Sequence, residues 1–401
     1  MIGIKSENKK ISYIKAIKGQ SAIEYIMTYG WMLIIVAIIG GGVLTFTTER
    51  NLNYSNFNQN HFQITDSGLT RYNTVDIRLK NPAGGQITIK EVNISDSISY
   101  NLFTDIEEME ESQISLFGFE KTNKVNTVNL SMTYSSGKLE NLQSKGQLTG
   151  NFKPVNEIKC ETSASLKPTS DYKIINNQWS RPDAKQCIKQ DSKGLYGWQW
   201  DATDIEAGKG PNYPEIFIGT RPWGSNTDVE SFPIQAQNIE NFSLDLETEL
   251  KTKRGEWNQA IEWWVMNSTE YLENNNLPAE KRIKYEVMLV TDWEDQGHPH
   301  VEEKSIFTDK YGNTYDLWQV YKDAGGTGND FYIFRIQGKH QRGKIDLEKI
   351  NNYMLKQENF QEDHYITGVE VGNEYWGQTK GNNKIKELNL MVNQENYSIK
   401  N

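Results

Sequence analysis

The sequence predicts a mainly β protein with one hydrophobic helix near its N-terminus. Short period-two runs separated by turn residues fill residues 51–151, the pattern of half-exposed antiparallel strands. Strand signals continue to residue 401 around a single helical candidate, which favours a β-sandwich or jelly roll. The segment Tyr25–Thr48 contains no charged residue, and as a helix it would be about 36 Å long, enough to cross a bilayer.

Composition limits the partners that this chain can have. Its 401 residues suggest more than one domain, and a net charge of -10 without a Lys/Arg-rich stripe argues against binding to nucleic acid. The 11 Trp and 20 Tyr offer aromatic faces suited to stacking on sugar rings. We expect no cofactor and no metal, because the loop that holds His298 and His300 is more typical of a solvated turn.

Cys160 and Cys187 are the only cysteines, too few for a four-cysteine zinc site. On an exported chain two such residues favour a disulfide. Two buried free thiols are the alternative.

The N-terminal segment carries signals for export. Residues Lys18–Tyr25 resemble the processing site of archaeal type IV prepilins, where a prepilin peptidase cuts after the glycine, here between Gly19 and Gln20. This resemblance implies a cleaved basic leader, residues 1–19, and a retained pilin-like or transmembrane helix, residues 20–50. Glu24 would then meet the N-terminal amine of a neighbouring pilin-like subunit. A simple signal anchor is the alternative. Several leader lysines place the rest of the chain outside the cytoplasmic membrane: Lys5, Lys9, Lys10, Lys15 and Lys18.

Residues 51–150 form the first predicted β-rich domain. The runs Val75–Leu79 and Val128–Met132 alternate apolar and polar side chains, and Asn81–Gly85 is a turn. The order of these elements resembles the small β-sandwich domain of archaeal pilin-like proteins. An acidic run in this domain is most simply a solvated surface, and it comprises Glu107, Glu108, Glu110 and Glu111.

Residues 151–401 form the second predicted β-rich domain. Its helical candidate, Asp346–Gln357, has apolar residues at helical spacing and an aspartate that can cap its start. Glu286 and Glu374 each lie in strand-like apolar runs, where a buried carboxylate carries a desolvation cost. A pair of such glutamates on separate strands suggests acid/base or nucleophilic chemistry on a sugar.

Several short segments of this domain resemble family 12 glycoside hydrolases, which are retaining β-glucanases with a curved, concanavalin-like jelly roll of two antiparallel sheets. The matching segments are Tyr172–Trp179, Gln186–Cys187, Tyr213–Gly219, Trp257–Asn258, Tyr285–Met288 and Gly372–Glu374.

The resemblance implies roles for individual residues. Glu286 matches the nucleophile and Glu374 the general acid/base, while Cys160 and Cys187 are placed like the family's paired cysteines. The expected substrate-binding residues are Asn177, Trp179, Trp223, Trp264, Met288 and Trp376.

Two positions depart from the family pattern. Glu262 stands where the family has an aspartate, and we expect it to serve as a supporting carboxylate. Val290 replaces a tryptophan, so that stacking surface is lost or supplied by Trp293 or Trp264. Near Glu374, the absence of a side chain at Gly372 is expected to leave space for a substrate.

The sequence therefore predicts a retaining endo-β-glucanase displayed on the cell surface or on a filament. Its substrate would be a β-1,4-linked glucan of the cellulose-like, mixed-linkage or xyloglucan kind. A pilin-like adhesin that binds polysaccharide without cleaving it is the main alternative, and a purely structural filament subunit is the third.

Overall fold

The computed structural model describes residues 50–57, 61–82, 84–95, 98–206, 210–222, 225–227, 229–252, 255–270, 283–294, 301–324, 329–357, 360–361 and 363–400. The predicted leader, processing site and hydrophobic helix lie outside these ranges. Within the ranges, no helix is long and apolar enough to cross a membrane. The described part is mainly β, as predicted, and residues 50–401 form one compact unit.

The N-terminal β-module, residues 50–154, contains two antiparallel sheets. One has the strand order β1-β3-β4-β7 and the other β2-β9-β8-β5-β6. Alternate side chains of both sheets enter a common apolar core, as the period-two runs predict. The strands are β1 (Arg50–Asn51), β2 (Asn53–Ser55), β3 (Gln63–Leu69), β4 (Val75–Lys80), β5 (Ile87–Ile94), β6 (Ile98–Ile106), β7 (Glu111–Leu116), β8 (Phe119–Ser136) and β9 (Leu139–Pro154).

The remaining strands form two larger sheets, of seven and eleven strands. In chain order, the strands of both sheets up to residue 266 are β10 (Glu157–Lys159), β11 (Ser165–Leu166), β12 (Lys173–Ile175), β13 (Lys185–Gln190), β14 (Tyr196–Asp201), β15 (Glu215–Gly219), β16 (Ile234–Gln235), β17 (Phe242–Thr252) and β18 (Trp257–Met266). Those that follow are β19 (Ile283–Glu294), β20 (Glu303–Thr308), β21 (Thr314–Tyr321), β22 (Asp330–Ile336), β23 (Arg342–Asp346), β24 (Tyr365–Ile366), β25 (Gly368–Gly372), β26 (Lys380–Val392) and β27 (Glu395–Lys400).

The strand order places β25, β18 and β19 at the centre of the larger sheet. The seven-stranded sheet runs β10-β13-β14-β26-β17-β23, with β27 beside β26. The eleven-stranded sheet runs β11-β12-β15-β25-β18-β19-β22-β21-β20, with β16 and β24 off this path. The inner faces of the two sheets share one large apolar core.

The predicted helix is present as α1 (Leu347–Met354), and Asp346 caps it by accepting a hydrogen bond from the backbone N–H of Lys349. It ends three residues before the predicted Gln357. The N–H of Gln357 bonds to the carbonyl of Met354, an i to i-3 hydrogen bond that closes the helix in a tighter turn.

The two faces of the eleven-stranded sheet have opposite characters. On β18, Ile261 and Trp263 enter the apolar core. Glu262, between them, points to the other face, because successive strand residues alternate. This second face, which we call the cleft face, carries the functional candidates.

The N-terminal β-module packs on the outer face of the seven-stranded sheet through buried polar contacts. The buried amide of Gln199 accepts from the N–H of Gly118 at 3.4 Å and donates to the carbonyl of Tyr72 at 2.8 Å. Lys384 Nζ lies 2.7 Å from Glu120 Oε1 of the module. Strand β9 ends at Pro154 and β10 begins at Glu157, so only two residues separate the module from the next sheet.

Cys160 and Cys187 form the expected disulfide, which confirms the pairing. Cys187 also belongs to the apolar core of the module, together with Phe119 and Val155. The bond therefore ties the start of the C-terminal region to the strand on which the module rests.

Removing this disulfide should destabilise the protein. The bond closes a sequence separation of 27 residues. The chain-entropy model then gives about 3 kcal/mol of stabilisation. We expect Cys160→Ser with Cys187→Ser to lower the free energy of unfolding by about that amount, measured by urea denaturation. An unchanged denaturation midpoint would contradict the expectation.

Candidate active site

A cavity of about 650 Å³ opens on the cleft face of the eleven-stranded sheet. It brings together six residues that the sequence singled out, although they come from four distant chain segments. Among the side chains that line it are Asn177, Trp179, Tyr213, Arg221, Glu262, Trp264, Glu286, Glu370 and Glu374.

Strand register places three of these glutamates close together. Trp264 on β18 pairs with Glu286 on β19, and Glu262 pairs with Met288. On its other side, Glu262 pairs with Glu370 on β25. Directly paired residues point to the same face, so Glu262, Glu286 and Glu370 converge on one side of the sheet.

Glu374 lies two residues beyond the end of β25, not within a strand as predicted. It is held from the neighbouring β18 by Asn258, whose Nδ2 donates to Glu374 Oε2 at 2.6 Å. The preceding Asn373 is buried, and its Oδ1 accepts hydrogen bonds from Trp198 Nε1 and Asn383 Nδ2. The backbone N–H of Asn258 also donates to the carbonyl of Glu374 at 2.9 Å. Together these contacts hold the carboxyl of Glu374 at the cavity.

Gly372 has a different role from the one expected. A Cβ built at this position would lie 2.6 Å from the ring of Tyr213. The space beside Glu374 is therefore occupied by an aromatic ring of the protein and is not open to substrate. Glycine is needed here because the ring packs directly against the backbone.

Burial raises the pKa values of the two central carboxyls. The pKa of Glu286 rises from 4.5 to about 8 through burial and repulsion from Glu374 and Glu370. The pKa of Glu374 rises from 4.5 to about 7, mainly through burial, while the hydrogen bond from Asn258 opposes the rise. Because the two carboxyls interact, they titrate as a pair, and the first charge formed makes the second harder to form.

Glu262, which the sequence suggested as a supporting carboxyl, lines the same cavity. Burial and the charge of Glu286, followed by Glu374, raise its pKa well above 4.5. A buried carboxyl in such surroundings keeps its proton, because an additional negative charge would be desolvated beside others of the same sign.

Two of the predicted substrate-binding residues that the structure describes, Met288 and Trp376, do not line the cavity. Met288 is 2% exposed and belongs to a small apolar cluster with Tyr213, Trp318 and Ile333, so its role in substrate binding stays a prediction. Trp376 is half-buried and absent from the cavity lining. Trp223 lies outside the described residues. Trp179, by contrast, is 64% exposed at the cavity, and Trp264 is buried in its wall.

Sequence analysis missed Glu215, Glu370 and Arg221 as members of the site. Glu215 is fully buried beneath the cavity, and Arg221 bridges the two glutamates. A signal was available, because Glu215 interrupts the apolar run Tyr213–Gly219 in the same way as Glu286 interrupts its own strand. Within the described ranges, no group of His, Cys, Asp and Glu side chains could hold a metal ion. His298 and His300 lie outside those ranges.

Comparisons with known proteins identify the fold. No protein-family model and no curated protein sequence matches this chain. Solved structures do match. A family 12 xyloglucanase from Bacillus licheniformis is 19% identical, with 59% of this chain and 100% of that chain covered and a TM-score of 0.50. An endoglucanase from Rhodothermus marinus is 18% identical, with 60% and 100% covered and a TM-score of 0.47. Endoglucanase 3 of Trichoderma harzianum, also from family 12, is 15% identical, with 59% and 97% covered and a TM-score of 0.46.

The match to the Bacillus licheniformis structure shows that 59% of the chain has the fold of family 12 glycoside hydrolases. The predicted resemblance is therefore confirmed for the fold. The pilin-like character of the N-terminal segment stays a prediction.

The buried carboxyl of Glu262 should make stability fall as pH rises. Its pKa is raised in the folded state, so the folded protein holds a proton that the unfolded chain loses above about pH 4.5. We expect Glu262→Gln to raise Tm by several degrees at pH 8 and to leave it unchanged at pH 4. Scanning calorimetry at both pH values, with the exposed Glu303→Gln as control, measures this. An equal change at both pH values would contradict it.

Proposed function

We propose that this protein is a retaining endo-β-glucanase that hydrolyses β-1,4-linked glucan. The observation that carries the proposal is the convergence of Glu286 and Glu374 on one cavity, where burial raises the pKa values of both carboxyls. Pairs of carboxyls with shifted pKa values are the usual acid/base equipment of glycosidases. The family 12 fold supports the same chemistry.

In the first step, Glu374 is the general acid and Glu286 the nucleophile. Glu374 gives its proton to the glycosidic oxygen while the bond from that oxygen to the anomeric carbon breaks. A carboxylate oxygen of Glu286 forms a bond to the same carbon from the opposite face of the sugar. The leaving part of the glucan departs as an alcohol, and a glycosyl-enzyme remains.

In the second step, the roles reverse. Glu374, now a carboxylate, takes a proton from water as the water oxygen attacks the anomeric carbon. The bond to Glu286 breaks, and the nucleophile returns to its charged form. Two inversions give a product with the original anomeric configuration, and one water is consumed for each bond broken.

The electrostatics of the site support this proton cycle. Burial raises the pKa values of both carboxyls, and repulsion from Glu374 adds to the rise at Glu286. One member of the pair therefore keeps a proton more readily than an ordinary glutamate does. The reaction uses the state in which that proton is on Glu374, and Glu374 returns to the protonated form after each cycle.

The cavity offers surfaces for a glucan chain. Trp179 presents an exposed ring on which a sugar can stack, and Asn177 lies beside it. Val290 is fully buried, so it gives no stacking surface.

Variants of the two glutamates test the catalytic roles. We expect Glu286→Gln to lower kcat on soluble β-glucan by about a thousandfold or more, because no nucleophile remains. Glu374→Gln should lose activity on glucan but retain more of it on an aryl cellobioside, whose leaving group needs little protonation. Reducing-sugar assays and NMR of the anomeric product measure these effects.

The exposed Glu303→Gln is the matched control and should keep full activity. Full activity of Glu286→Gln would contradict the nucleophile assignment. An inverted product would contradict the retaining mechanism. If the unmodified chain binds polysaccharide and forms no product, the adhesin alternative is favoured.

We further propose that the hydrophobic segment displays this activity outside the cell. The basic leader, the Gly19–Gln20 junction and Glu24 before the apolar stretch support display on the cytoplasmic membrane or in a pilin-like filament. A carboxylate at that position also needs a polar partner, which a neighbouring subunit's amine would supply.

Processing of the leader can be measured directly. In a host with a prepilin peptidase, we expect the mature chain to begin at Gln20 and to remain in the membrane or filament fraction. N-terminal sequencing of both fractions checks this. A mature N-terminus beyond the apolar segment would show a cleaved secretory signal.

A further inference from the structure

Arg221 is the one basic side chain that lines the cavity within the described part of the chain. It follows the end of β15 and is largely buried, with 12% of its side chain exposed. Its Nη2 lies 2.8 Å from Glu215 Oε1, and its Nε lies 3.0 Å from Glu370 Oε1. The guanidinium also lies 5.7 Å from the ring centre of Phe217. These contacts fix both its position and its plane.

Strand register places this cluster beside the catalytic carboxyls. Glu370 pairs with Glu262 on β18. Glu215 pairs with Gly372, two residues before Glu374. Because neighbouring strands are about 4.8 Å apart, the cluster lies within a few sugar units of the bond that the carboxyls would cleave.

Some N–H donors of Arg221 have no protein partner among the described residues. A guanidinium has five N–H groups, and those on Nε and Nη2 face the two glutamates. Nη1 has no protein partner among the described residues, and the side chain borders the cavity. Its N–H groups are therefore available to a bound molecule.

Asn177 supplies an acceptor at the same place. Its Nδ2 donates to Glu215 Oε1 at 3.1 Å, the same oxygen that holds Arg221. This bond assigns the amide orientation and leaves the carbonyl oxygen as the free end. Glu215 thereby positions a donor and an acceptor side by side. Such a pair suits sugar hydroxyls, which both give and accept hydrogen bonds.

Stability alone is a weak reason for this cluster. A buried ion pair costs desolvation energy that often equals its attraction, and apolar residues of similar size can replace it. A guanidinium at the wall of a cavity has a clearer role in ligand binding, because its planar set of donors selects ligands by their geometry.

We propose that Arg221 and Asn177, held by Glu215 and Glu370, form a subsite that binds the hydroxyl groups of a neutral glucosyl unit next to the cleavage site. The inference rests on the proposed function. In this subsite, Arg221 discriminates among ligands by recognising their hydroxyl groups.

Binding to the inactive Glu286→Gln chain tests this subsite independently of hydrolysis. The ligand is cellopentaose and the readout is Kd by isothermal titration calorimetry. We expect Arg221→Lys in this background to raise Kd about tenfold or more, because the ammonium keeps the charge but uses its donors on the two glutamates. The double variant Arg221→Met, Glu370→Gln removes both of these charges and should weaken binding to a similar extent. It replaces Arg221→Lys in the test if the lysine variant does not fold.

Arg335→Lys is the matched control. Arg335 lies on the same face, 3.2 Å from Asp316, and is absent from the cavity lining. Its Kd should stay unchanged.

The outcomes separate this inference from the proposed function. An unchanged Kd for folded Arg221 variants would overturn the subsite and leave the hydrolase intact. Tight binding by the Glu286→Gln chain, with no sugar released by the unmodified chain, would overturn catalysis and leave the subsite standing. No binding by the Glu286→Gln chain would overturn both.

Discussion

The alternation of side chains along β18, β19 and β25 is the constraint on which the site depends. Ile261 and Trp263 must enter the core, so Glu262 has to face the cleft. The same rule turns Glu286 and Glu370 to that side. A register slip of one residue would bury the carboxyls in the core and expose the apolar side chains, so the energy of the core also maintains the geometry of the cleft.

This constraint creates an electrostatic problem that the protein solves in two ways. Protons are retained on part of the acidic cluster, as the raised pKa values of Glu262 and Glu286 show. A single guanidinium, that of Arg221, compensates Glu215 and Glu370. The first solution limits the negative charge that is buried at the cleft face. The second leaves N–H donors of Arg221 at the cavity wall, where the proposed subsite uses them.

The sequence predicted those features that depend on local pattern. Glu286 was identifiable because it interrupts an apolar strand, and α1 because its apolar spacing and cap are local. Glu262 was noticed only through the family resemblance. Features that depend on contacts between distant segments were not predictable. Met288 is covered by Trp318 and Ile333 from a later hairpin, and Gly372 by Tyr213. The contacts of Asn373, just beyond the end of β25, come from Trp198 and Asn383 on other strands.

The polar contacts between the N-terminal β-module and the seven-stranded sheet also fix the direction in which the cleft faces. The contacts of Gln199, Glu120 and Lys384 join the module to the sheet and leave no hinge between them. The two residues between β9 and β10 are too few to act as a flexible linker. The orientation of the cleft relative to Arg50 is therefore built in. Under the proposed function, the cleft does not swing relative to the module, and a glucan chain has to approach it from one fixed direction.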